Sequence, residues 1–67
     1  MTNGVIQFGR KLREVRLKKN WSQGDIARTL GVHGSYISGL ERGKRNPSLL
    51  TIQKMARALG VSPKNLM

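Results

Sequence analysis

Five residues at fixed offsets between positions 23 and 40 constrain this chain more than anything else in it: Gln23, Ala27, Gly31, Ile37 and Leu40. Each offset has a mechanical reason. Two helices that cross near a right angle through a turn of three or four residues need a small side chain at the crossing, and Ala27 supplies it. The turn needs a residue tolerant of positive φ, which Gly31 provides. Apolar anchors must then meet beneath the turn: Ile26 and Leu30 from one helix, Val32, Ile37 and Leu40 from the other. Residues from about 22 to 41 are therefore expected to form two short helices joined by a tight turn.

The flanking segments read as further helices. A first is expected over about Gln7 to Lys19, with Phe8, Leu12 and Val15 as its inward stripe. Its other faces carry Arg10, Lys11, Arg13, Lys18 and Lys19. Ser22 is a good N-cap for the second helix, and Asp25 three residues on completes a capping box at the positive helix end. Trp21 and Ile26 then have hydrophobic-staple spacing. The third helix runs from about His33 or Gly34 to Arg42 and stops at Gly43. After a basic loop, Pro47-Ser48 leads to a fourth, whose buried stripe is Leu49, Ile52, Met55, Ala56 and Leu59, with Lys54 and Arg57 opposite. Gly60 ends it, and Ser62 caps a last half-turn or short helix with Pro63 at its first position and Leu66 within it. No stretch alternates as a strand does, and no linker divides the chain. One all-α domain over residues 1–67 follows.

Charge narrows the function. Thirteen Lys and Arg face three acids, Glu14, Asp25 and Glu41, for a formal net charge of +10. That excess repels itself in a compact state, so an anionic partner is its natural explanation. Nucleic acid leads, and an anionic membrane surface is second. The membrane reading is weaker, because basic residues surround the first helix rather than segregating against a broad apolar face. No apolar run approaches the ~20 residues that span a bilayer. The opening Met-Thr-Asn-Gly also lacks the basic-then-apolar order of a signal peptide. A cytoplasmic, nucleoid-associated protein is expected. With no cysteine and one histidine, His33, neither a metal nor another cofactor is expected. The same inventory supplies no paired carboxylates and no nucleophile–base arrangement, so an enzyme is not expected. Trp21, at its staple position, reads as a core residue rather than a base-stacking platform.

With Ile37 and Leu40 turned inward, the outward face of the third helix carries Ser35, Ser38, Gly39 and Arg42, with Tyr36 to one side. It holds no acid and no large apolar side chain. Short side chains let a helix lie deep in the major groove, where hydroxyls can bond base edges or phosphates. Gly34 and Gly39 would each cost ~1 kcal/mol relative to alanine inside a helix, which suggests close approach to another surface, although Gly34 can also be the helix start. His33 reads first as an exposed helix-start residue, next as a DNA contact, and least as a pH switch.

Three stretches, FGRKLREVRLKKNWSQGDIARTLGV, YISGLERGKRNPSL and MARALGVS, together spanning about residues 8–62, carry a family resemblance. The chain resembles the Xre/Cro family of phage and bacterial repressors, which includes small controllers of restriction–modification systems. The resemblance implies a five-helix, lambda-repressor-like domain whose helix-turn-helix docks on double-stranded DNA. It implies phosphate binding by Ser22, Gln23, Arg42, Lys44, Arg45 and Asn46. It implies base reading by His33, Gly34, Ser35, Tyr36, Ser38 and Gly39, and an internal ion pair between Arg16 and Glu41. Relatives carry Gln or Arg where this chain has Gly34 and Gly39, so long bidentate readers are missing there. Ser35 and Tyr36, or DNA shape, must then do more. The family also implies a homodimer on a pseudo-palindromic operator, formed through the last two helices, where Leu50, Val61, Leu66 and Met67 offer apolar area. A role centred on another protein, such as a toxin or a polymerase, is the alternative that related domains leave open.

Overall fold

Four α-helices and a terminal 3-10 turn follow one another: α1 (Gly4–Lys18), α2 (Gln23–Leu30), α3 (Gly34–Glu41), α4 (Leu49–Leu59) and the turn Pro63–Leu66. They are seen in a computed structural model that describes residues 4–67. The sequence reading of the first three residues, which bore on a secretory leader, lies outside them. No strand occurs among the described residues, so the architecture is all-α as the periodicity required. The fifth element is a 3-10 turn of four residues rather than an α-helix.

Local signals set most boundaries. Ser22 Oγ accepts the amide of Asp25 at 3.0 Å while Asp25 Oδ2 accepts the amide of Ser22 at 2.8 Å, a complete capping box at the start of α2. Ser48 caps α4 in the same way through the Thr51 amide, at 3.1 Å. At its far end α2 closes on Gly31 (φ 70), and the following amide, Val32, returns 2.9 Å to the carbonyl of Ala27. This doubly bonded ending satisfies carbonyls that would otherwise lack partners. Gly43 and Gly60 end α3 and α4 by the same bonds. On α1 the left-handed position falls to Asn20 (φ 60), with the Trp21 amide returning 3.0 Å to Arg16. Asparagine is among the few side chains that tolerate this conformation.

The core consists of Phe8, Leu12, Ile26, Ala27, Ile37, Leu40, Met55, Ala56, Leu59 and Leu66, with Val15, Trp21, Leu30 and Ile52 packed against it. α3 packs on α1 and α2, while α4 and the terminal turn close the other side. Gly9 makes the α1–α3 approach possible. A Cβ there would run into the Leu40 carbonyl oxygen and lie 2.9 Å from that of Glu41. The backbone of α3 thus rests directly on α1.

Four expectations need correction, the first being that Leu49, at the first position of α4, is 62% exposed and lies outside the buried stripe of that helix. α1 begins at Gly4 rather than near Gln7 and ends at Lys18. Ile6 lies against Gly43, so contact with the end of α3 extends the helix beyond what its apolar stripe suggests. Val32 is exposed rather than an anchor beneath the turn, because the turn uses its amide and leaves its side chain outside. Leu66, expected on a dimer surface, is fully buried, since the 3-10 turn rolls it inward onto α1 and α4.

Candidate nucleic-acid interface

The far end of α3 is fixed by one charged cluster. Arg16, from the middle of α1, donates from Nε to Glu41 Oε2 at 2.6 Å and from Nη2 to Oε1 at 3.0 Å. Its Nη1 reaches the Trp21 carbonyl at 2.7 Å, just ahead of α2. Gln23 Nε2 donates to the same Glu41 Oε1 at 3.1 Å. A carboxylate only accepts, so the amide nitrogen must face it. The pair is bidentate and its side chains are 9% and 2% exposed, the geometry in which an ion pair holds position most firmly. Hydrogen bonding to Glu41 holds the Arg16 pKa above its ordinary value, against the opposing effect of desolvation. The pair's electrostatic effect is as important as its mechanical one. The only acid on α3 faces inward and is neutralised, so it adds no negative charge to the outer surface.

The two other acids lie on α1 and α2 and each has a cation beside it. Asp25 pairs with Arg28 at 2.7 Å on α2, and Glu14 sits 3.7 Å from Lys18 on α1. Both pairs are exposed and add little stability.

The near end of α3 contrasts with this. His33 occupies the N-cap position with extended backbone and makes no side-chain cap bond. Gly34, the first helical residue, is exposed, and a Cβ there would meet nothing within 4 Å. At a helix terminus its entropic cost is small, so close approach is not needed to explain it. Ser35 is exposed, while Tyr36 and Ser38 are half-buried. An open groove of about 470 Å³ runs alongside, bringing His33, Ser35, Tyr36 and Arg45 together with Lys54 from α4. Lys54 was read from the sequence only as the solvent side of α4. The tertiary contact that carries it to α3 has no local signal.

Gly39 also departs from expectation. It is buried rather than outward-facing, because the stem of Arg45 lies over it; a Cβ there would come within 2.8 Å of Arg45 Cγ. Beyond it, Arg42, Lys44, Arg45 and Asn46 are exposed in the loop that leaves α3.

The outer face of α3 and the basic loop that follows it thus expose no acid, while Asp25 at the start of α2 is paired with Arg28. The family model for helix-turn-helix proteins matches residues 12–66. The chain belongs to the helix-turn-helix family. This helix-turn-helix protein is 49% identical to control protein C.BamHI of Bacillus amyloliquefaciens over 69 aligned positions, covering 100% of this chain and 85% of the relative. The crystal structure of the restriction–modification controller protein C.AhdI from Aeromonas hydrophila superposes with a TM-score of 0.89 at 44% identity, covering 94% of this chain and 96% of that one. The master regulator for biofilm formation SinR, solved in complex with DNA, superposes with a TM-score of 0.81 at 33% identity, covering 88% and 95% of the two chains. By family and relatives it is a transcriptional regulator.

Proposed function

We propose that this helix-turn-helix regulator binds double-stranded DNA sequence-specifically, as a homodimer on a pseudo-palindromic operator, in the control of a restriction–modification system. One observation carries the reading: the sole acid of α3 is turned inward onto Arg16, which leaves a short-chained first turn at Gly34–Ser35 and an exposed cationic loop with Arg42, Lys44 and Arg45. Such a surface fits the major groove and repels no phosphate. The relatives named as control proteins supply the biological setting.

In this reading His33, Gly34, Ser35, Tyr36 and Ser38 face base edges, and Ser22, Gln23, Arg42, Lys44, Arg45 and Asn46 hold phosphates. Gln23 spends one amide hydrogen on Glu41 and keeps another for DNA, so the phosphate anchor is itself anchored. Ser22 Oγ accepts the Asp25 amide at the start of α2, beside Gln23. Leu49, Leu50 and Met67, each more than half exposed, are the apolar area available to a second copy. A dimer sets two copies of α3 about one DNA turn apart. Binding DNA implies a cytoplasmic, nucleoid-associated protein, and no helix among the described residues is long and apolar enough to cross a membrane. The chemistry is recognition; no catalytic step is assigned.

Selection from a pool of random duplexes, followed by sedimentation of protein with the selected duplex, tests this reading. A two-fold related sequence bound by two copies is expected. A chain that stays monomeric and enriches no sequence would overturn it.

A further inference from the structure

Gly39 sits in the last turn of α3, its backbone is helical, and it is not one of the positive-φ glycines, so an alanine would suit that backbone. What excludes a side chain is Arg45. The three atoms nearest to a Cβ built on Gly39 are all in that one side chain: Cγ at 2.8 Å, Nε at 3.7 Å and Cδ at 3.8 Å. The backbone enforces the meeting. After the turn at Gly43 the Lys44 amide donates to the Gly39 carbonyl at 2.8 Å, folding the loop back over the helix and delivering the next residue onto Gly39. Arg45 also walls the groove that holds Ser35 and Tyr36. Without the cradle its long stem, with many rotamers of similar energy, would be free to point elsewhere.

We propose that Gly39 is a positioning residue that acts on DNA through Arg45: the missing side chain is the seat for the arginine stem and aims its guanidinium at a phosphate bordering α3. Gly39 therefore contributes to affinity without touching a base. The proposal rests on the DNA-binding reading above. It also explains why a poor helix former occupies a helical position of an eight-residue helix, since alanine there would favour the helix and dislodge the arginine.

A double-mutant cycle tests the pair, using the duplex selected by the wild-type chain. Gly39→Ala is expected to weaken binding roughly tenfold, the scale of one hydrogen bond to a charged group. Although it removes no charge, it should lower the magnitude of the log–log salt slope by about 0.9, as Arg45→Ala does. In the Arg45→Ala background, Gly39→Ala should cost no further affinity. Its thermal midpoint should stay level or rise by about 4 °C, because the displaced group is a flexible side chain and alanine is the better helix former. Additive losses in the double variant, or an unchanged salt slope in Gly39→Ala, would overturn the proposal while leaving DNA binding intact. A wild-type chain that retains no duplex would overturn both.

Discussion

The two ends of α3 are built in opposite ways. At its last residue Glu41 takes hydrogen bonds from Arg16 on α1 and Gln23 on α2, and the Arg16 side chain also holds the Trp21 carbonyl. At its first turn His33, Gly34 and Ser35 are exposed and make no side-chain hydrogen bond within the described residues. One end is fixed by three segments of the chain; the other rests on apolar packing, with Ile37 in the core and Tyr36 against it. The contrast suits a helix that must be held in place yet offer unsatisfied polar groups to a partner. Substitutions at the fixed end should cost stability, and those at the open end should change recognition alone.

Arg16→Ala should have the largest effect. It leaves the Glu41 carboxylate, 2% exposed, without its cation. Breaking a buried pair on one side costs about 3–5 kcal/mol, a large part of the stability of a small domain. A urea melt followed by circular dichroism should show a much lower midpoint; an unchanged one would mean that α3 is not held from this end. Gly9→Ala comes next, because the new methyl meets backbone carbonyls of α3 that cannot move aside cheaply. Overpacking of this kind costs about 1–3 kcal/mol, and a thermal scan should fall by at least 4 °C on the usual scaling for a domain of this size.

Ser35→Ala, at the open end, should leave the midpoint within about 0.5 kcal/mol of wild type. Binding should change chiefly at one or two base-pair positions of the selected duplex, read on a panel of single-base variants. Equal weakening on every variant would move Ser35 out of the base-reading set. The smallest effect concerns the cap of α2. The Ser22 backbone N–H chiefly, then the Ser22 hydroxyl, holds the Asp25 pKa below its ordinary value, with Arg28 adding to the shift against desolvation. A depressed carboxylate pKa means the contribution is present above the unfolded value and lost as pH falls through the folded one. Acid titration followed by NMR should therefore release the Ser22 amide below the usual aspartate range, and Asp25→Asn should abolish that step.

Much of the fold was legible because it rests on local chemistry. The αL position at Gly31, the Ser22–Asp25 box and the apolar spacing of Ile37 and Leu40 act within a few residues of one another. What was misread depends on contacts between distant segments. Leu66 looked like surface because its burial is decided by where the terminal turn docks. Gly39 looked outward because the helical wheel cannot foresee that the chain returns five to six residues later and lays Arg45 over it. Gly9 carried only the weak signal of a glycine inside an amphipathic helix. The same distinction holds in the interface: the outward hydroxyls of α3 follow from the wheel, whereas Lys54 and the Gln23–Glu41 bond require the tertiary structure.

The most direct test of the division within this surface is a salt titration of binding for Lys44→Ala beside Ser35→Ala, each on the selected duplex and on a random one. Lys44→Ala should weaken both duplexes alike and reduce the log–log slope by about 0.9, the value for one phosphate contact. Ser35→Ala should keep the wild-type slope and lose affinity only for the selected sequence. Identical slopes and identical losses from the two substitutions would contradict the assignment of the basic loop to phosphates and the open end of α3 to bases.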